Sequence, residues 1–478
     1  MAYTTINKST LHMNTKTYSG TNSTNAQTGV GFKPDLSWIK DRGQNGHNHN
    51  LTDSVRGAPK ILMSDSTTGE ITDSTDALTS FDTDGFTLGA NTTGTQSQEL
   101  NKNGNTYAAW NWLAGGAAPT KTYKVVVVSD SGNKYRFRNS ADDTTFGESA
   151  VTLDLQEGGT YTFDVSDSTL NSHPFVIGTA ANSSEYSTGV TYKLDGVTKT
   201  YSQYTSGFSA ATTRQLIITL AASAPALYYW CSQHSGMGGA INTNATHGST
   251  NFDGNVTSIV SANDTAGFSI VKWSGTTNDK TIGHGLSTVP QMIIYKNLAG
   301  GTNWVVYHYK MSSGQFMKLN LTDGQSNANA YHTSSPDTAK LSLTGNTAAN
   351  SSGNGMVAYC FSARAGFSHF GLYKGNGSAN GSFCYTGFKP AFVMCREISS
   401  NGYQWVIVDE TRNPGNGTMN WLFPDSSGVE TTESTWDLLS NGFKQRANHS
   451  YVNHSGDHIF MAFGQSLVGS NNIPATAR

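Results

Sequence analysis

Four residues of this chain have side chains and a spacing that suit a transition metal. His173, in Asn171-Ser172-His173-Pro174-Phe175, lies 58 residues before Cys231. An aromatic run, Leu227-Tyr228-Tyr229-Trp230, leads into Cys231-Ser232-Gln233-His234-Ser235-Gly236-Met237. The order is one histidine, then Cys-x-x-His-x-x-Met. A thiolate and two imidazoles in a near-trigonal plane, with a weak axial thioether, combine soft and borderline donors and suit copper in both oxidation states. The same four side chains without a metal would pack as a small apolar cluster, so the residues alone leave the site open to copper, to zinc or to no ion.

Strands must position such a site. A strand ending at Cys231 and turning through residues 232–236 brings Cys231, His234 and Met237 to one point, and a neighbouring strand supplies His173. The surrounding runs Val125 to Val128, Val151 to Leu155, Tyr161 to Val165 and Gln215 to Leu220 have strand composition. Residues 120–242 resemble the cupredoxin family, closest to its plastocyanin-like and amicyanin-like members, in which an aromatic-rich strand runs into the Cys and one loop holds Cys, His and Met. The resemblance implies a Greek-key β-sandwich with His173, Cys231 and His234 as equatorial ligands and Met237 as the axial one. The Tyr-Tyr-Trp-Cys spelling lengthens the usual aromatic pair, and the segment from Ser184 to Ser209 is longer than the family pattern.

Other chemistry-bearing residues are read as structural. His47-Asn48-His49 is a single His-x-His in a Gly/Asn-rich loop and is expected to face solvent. His449, His454, Asp457 and His458 fit a polar turn between strands better than an ion site. Asp409, Glu410 and Asp425 are carboxylates in turns with no partner at a spacing suited to acid–base work. No Ser-His-Asp signature, phosphate loop or dinucleotide fingerprint occurs, and the chain is not expected to be an enzyme.

Elsewhere, Gly, Asn and Asp punctuate short runs rich in Val, Ile, Tyr, Phe and Trp, and no window keeps a capped 3.6-residue period. The expected fold is all-β, built of tandem β-sandwiches. A divergent repeat supports this. Gly31-Phe32-Lys33-Pro34 leads through Leu36-Ser37-Trp38-Ile39 to Tyr107-Ala108-Ala109-Trp110, and Gly387-Phe388-Lys389-Pro390 leads through Phe392-Val393-Met394 to Phe460-Met461-Ala462-Phe463. A weaker middle copy runs from Pro290 through Met292-Ile293-Ile294-Tyr295 to Val357-Ala358-Tyr359-Cys360. The Pro-to-Ala distances are 75, 68 and 72 residues. The expected modules are 1–116, 265–364 and 365–478, with the cupredoxin-like domain at 120–242 inserted after the first. A short hinge at Gly115-Gly116-Ala117-Ala118-Pro119 and a looser linker from Asn242 to Asp253 bound the insert.

Composition narrows the function classes. Charged residues are only 13% of 478, and 30 basic side chains face 33 acidic ones. No field steers the chain to nucleic acid or an anionic membrane, and no apolar stretch is long enough for membrane insertion. Met1-Ala2-Tyr3-Thr4-Thr5-Ile6 has no signal-peptide pattern, so a cytoplasmic origin is expected. The cysteines Cys231, Cys360, Cys384 and Cys395 are too scattered for a disulfide framework.

The opening residues 1–6, the run Gly31 to Lys40 and Asp53-Ser54-Val55-Arg56-Gly57-Ala58 resemble a family of repeat proteins common in marine bacteriophage genomes, usually virion or tail-fibre components. The resemblance covers residues 1–116 well and the two later modules more loosely. It implies jelly-roll or concanavalin-like sandwiches and a place on the virion, assembled in the host cytoplasm. Expected partners are other virion proteins and a host-surface glycan, with homotrimerisation as in phage appendages. A capsid decoration protein and a copper-binding electron-transfer protein are the alternatives.

Overall fold

The structure is a computed structural model and describes residues 4–92, 96–116, 118–327, 331–413 and 415–466. Met1–Tyr3 and Ala117, used in the motifs above, and 467–478 of the last module lie outside the described residues. The fold is all-β, and the longest described helix, Tyr201–Gly207, has seven residues.

Each repeat builds one large sheet and a smaller three-stranded one. In the first module the large sheet runs Met13–Ser19, Thr106–Trp112, Leu36–Asp41, Asn50–Asp53, Lys60–Met63, Ile71–Thr72. The second module places Phe268–Ser274, Gly355–Phe361, Met292–Asn297 and Val305–His308 in the same order, and the third places Ser368–Lys374, Asp457–Ser466, Phe388–Glu397 and Val406–Asp409. Pairing is equivalent too: Leu36 faces Trp112, Met292 faces Phe361 and Phe392 faces Phe463. This register makes Ala109, Ala358 and Phe460 the structural equivalents. The alanine alignment read from sequence is therefore slipped by two residues in the third copy, where the pairing shifts between Pro390 and Phe392. A slip of two leaves every side chain on its own face, and the hydrophobic pattern tolerates it.

The strands after the three prolines do not alternate; Leu36–Asp41 and Met292–Asn297 are buried throughout. Each large sheet is covered twice. Ile39, Tyr295 and Val393 point into cores closed by the module's own small sheet, whereas Trp38, Ile294 and Met394 belong to one cluster shared by all three modules. A strand covered on both faces needs apolar residues at every position, which removes the period-two signature.

The contacts between modules are cyclic. Tyr359 of the second module donates to Asp53 of the first at 2.8 Å, Trp110 of the first donates to Asp409 of the third at 3.0 Å, and His308 of the second lies 3.3 Å from the Phe460 carbonyl of the third. Three equivalent, fully buried cations follow the same cycle. Lys296 donates to the Thr67 carbonyl, Arg396 to that of Asp323 and Lys40 to that of Ser427. One chain thus closes a pseudo-threefold ring, and Gln465 near its end accepts from the Ser9 amide at 3.0 Å.

The insert is a separate sandwich with its own core. Its six-stranded sheet contains Thr120–Ser129, Thr160–Asp164 and Arg214–Thr219, and its five-stranded sheet contains Leu153–Gln156, Ala240–Asn244, Leu227–Cys231 and Phe175–Ala180. The long segment from Ser184 to Ser209 forms the hairpin Val190–Leu194/Val197–Lys199 and the helix Tyr201–Gly207, whose Tyr204 hydroxyl donates to the Phe175 carbonyl. The stretch expected to be a loose linker is packed. Phe252 sits in the insert's core, Tyr123 donates to the Thr250 carbonyl at 2.8 Å, and His247 bonds the buried carboxylate of Asp35. Hydrogen bonds to two bodies override a composition that reads as flexible. The second module also starts earlier than residue 265, since Ser249–Asn251 and Ser258–Asn263 are strands of its large sheet.

Candidate metal centre

Antiparallel pairing assembles the candidate site. Phe175 faces Cys231 across the Phe175–Ala180/Leu227–Cys231 pair, so His173, two residues before Phe175, arrives beside the turn that follows Cys231. The His173 and His234 Nδ1 atoms are 3.0 Å apart, and Cys231 Sγ is 3.8 Å from the first and 3.7 Å from the second. Two Nδ1 atoms at that separation either share one proton or both turn lone pairs towards a common cation. A triangle of this size leaves a central point about 2.0 Å from nitrogen and about 2.3 Å from sulfur, the bond lengths of a small divalent ion with these donors. The donor set therefore fits a metal. This is the one such His/Cys/carboxylate group among the described residues.

Cys231 and His173 are buried, while His234 is exposed at the rim. Burial, and then the neighbouring His234, hold the His173 imidazole below its ordinary pKa, which keeps its lone pair available. Met237 is buried in the same core as Cys231, and its carbonyl accepts from the Tyr135 amide at 2.9 Å.

Two supporting residues escape a motif search. On strand Asn133–Phe137, alternation puts Asn133 and Tyr135 on one face. The Asn133 side-chain amide is 3.3 Å from His173 Nε2, and with its oxygen turned to accept the Nε2 proton the Nδ1 lone pair faces Cys231; Tyr135 donates to the His173 carbonyl at 2.9 Å. Burial and the adjacent Cys231 thiol push the Tyr135 phenol well above its ordinary pKa, so it stays a donor. The period-two pattern was the available signal.

The residues set aside in the sequence lie elsewhere, and several are less ordinary than expected. His49 is not solvent-exposed. It is fully buried, with Trp38 Nε1 donating to its Nδ1 at 3.0 Å and its ring stacked on Trp110. His47 bonds Asp41 at 2.9 Å. Asp409 is not an unpartnered turn carboxylate, because it is buried against Arg412 at 2.6 Å. Glu410 lies 3.3 Å from Lys389, and Asp425 accepts from the Trp405 amide at 3.2 Å. His449 caps the short helix Ser450–Asn453, His454 lies against Tyr403, Asp457 begins strand Asp457–Ser466, and His458 stacks on Tyr373. All four cysteines are free and buried.

Residues 8–136 and 207–466 match the family described as "Domain of unknown function (DUF7483)". The chain belongs to this family. Within the DUF7483 match lie residues 8–116 of the first module, the whole of the second, 365–466 of the third, and Cys231, His234 and Met237, whereas His173 lies in the unmatched stretch. No curated protein and no solved structure matches the chain.

Proposed function

We propose that this DUF7483 protein is a structural component of a bacteriophage particle, a tail-fibre or appendage protein that contacts a glycan on the surface of its marine bacterial host. The observation that carries the reading is the cyclic closure of three repeat sheets around one apolar core. A rigid, nearly uncharged body with pseudo-threefold symmetry suits a seat on a threefold axis, where a heterologous partner meets three similar surfaces. The resemblance of residues 1–116 to phage repeat proteins points the same way. Mass spectrometry of density-purified particles tests it: peptides of this chain co-purify with the particle, and their confinement to the soluble lysate would refute the proposal. Enrichment with tail-less heads would make it a capsid decoration protein.

A second reading is favoured by the metal centre. In it the insert is a cupredoxin-like copper carrier attached to its partner by the repeats. His173, Cys231 and His234 would hold the ion, with Met237 from the same loop as a further candidate donor, and a bound copper would supply one-electron redox chemistry. The chain contributes a buried sulfur, an imidazole kept neutral, and in His234 an exposed edge at which a redox partner can approach. Copper titration of the full chain tests this reading through the thiolate-to-copper absorption, which must be missing in Cys231→Ser.

A further inference from the structure

Among the described residues the aromatic side chains are, with three exceptions, buried or half-buried, which makes the exceptions informative. Among the described residues, the Phe, Tyr and Trp side chains classed as exposed are Tyr309, Phe383 and Tyr385, at 37%, 46% and 57%. All three line one hollow of about 260 Å³, together with the exposed Leu372. The hollow sits where edge strands Ser368–Lys374 and Phe383–Tyr385 of the third module meet the turn after Val305–His308 of the second. We propose that this hollow is a saccharide-binding site.

Its construction supports that ligand class. The Tyr309 hydroxyl donates to the Phe370 carbonyl at 3.1 Å, which fixes the ring as one wall, and Lys310 Nζ lies 4.7 Å from that ring's centre. The floor is Gly371, where a Cβ would come within 2.5 Å of the Phe460 ring and 3.3 Å of His369 Nε2. The absence of a side chain at Gly371 lets the Phe460 ring and the His369 imidazole close in and form the base of the hollow. The His369 Nδ1 atom faces the Thr386 carbonyl at 3.4 Å, which directs its proton there and leaves Nε2 as an acceptor. Apolar ring faces with one acceptor and one donor match a pyranose, whose C–H face is apolar and whose rim carries hydroxyls.

A protein partner fits less well, because four exposed side chains fall far short of the about 20–30 residues per side that a stable interface engages. The sugar class rests on the host-surface reading above, but the site can be tested on the isolated chain. The probes are glucose, galactose, mannose, N-acetylglucosamine and their short neutral oligomers, read by saturation-transfer NMR with the full-length protein. Transfer to ring C–H protons is expected for at least one probe. Tyr385→Ala and Phe383→Ala, both at exposed positions and checked for unchanged melting, should each weaken binding about fivefold. No transfer from any probe, or equal binding by both variants, overturns the site. Concentration-dependent self-association abolished by Phe383→Lys would instead assign the edge to protein contact. Sugar binding by a chain missing from purified particles would refute the virion reading alone, and particle location without sugar binding would refute only this site.

Discussion

Trp110 and Asp409 are 299 residues apart in sequence, yet the indole nitrogen donates to the carboxylate at 3.0 Å inside the shared core. The same carboxylate binds Arg412 at 2.6 Å, and the Arg412 guanidinium lies 5.5 Å from the Trp110 ring centre. Asp53, Arg56 and Tyr359 repeat the arrangement between the first and second modules. Cutting either cluster leaves a buried charge. Asp409→Ala and Asp53→Ala should each cost about 3–5 kcal/mol in denaturant unfolding, and Trp110→Phe, which removes only the donor and some ring area, about 1–3 kcal/mol. Losses below about 0.5 kcal/mol would mean that the modules do not depend on one another.

Because one chain already supplies three copies of the interface, the isolated protein is expected to be monomeric, in place of the homotrimer that the phage resemblance implies. Light scattering should return the mass of a single chain across a hundredfold range of concentration. A stable trimer would show that the exposed surface, and not only this core, carries association.

At the candidate metal centre, Cys231→Ser should abolish thiolate-to-copper absorption, and His173→Ala should lower affinity for copper and for zinc alike. Asn133→Ala removes only the contact to His173 Nε2 and should weaken binding about 10- to 100-fold, read by competition against a chelator. Unchanged affinity in all three would exclude the centre as a metal site.

Stability should fall as the pH drops below neutrality. Burial depresses the folded-state pKa of His308 and His332 to about 3 and of His458 to about 4, whereas the unfolded imidazoles titrate near 6.5. Below about pH 6.5 the unfolded chain binds more protons, so these groups favour unfolding progressively down to pH 3–4. Asp65 and Asp425 act oppositely. Burial raises both to about 7, so the folded chain takes up their protons first and they add stability as the pH falls from 7 towards 4. The double variant Asp65→Asn/Asp425→Asn should therefore lose stability more steeply than the parent between pH 7 and 4, as followed by thermal melts. Parallel profiles would contradict this assignment.

The sequence made the His173, Cys231 and His234 cluster legible because its parts are local: Cys231 and His234 share a loop, and one strand pairing brings in His173. The repeat was legible through the three prolines and the strands after them. The meaning of the residues between modules was not. His49 follows two Asn and two Gly within six residues and reads as solvent-facing, but a tryptophan of its own module and the neighbouring third module bury it. Asp409 reads as a turn carboxylate because its indole partner comes from another module. Asp65, Asn320 and Asp425 each accept a backbone amide, from His49, Trp304 and Trp405, so they are one position of the repeat. Their residue types and spacing hid the equivalence. Local pattern reports a strand and its faces, and it does not report that a second body covers the outer face.

The proposed place of the protein is tested most directly by immunogold electron microscopy of purified phage particles, with antibody raised against this chain. Gold at the tail or its fibres is the expected result. Particles that carry no label anywhere, from a lysate in which the chain is abundant, would contradict the virion role and leave the metal-carrying reading in its place.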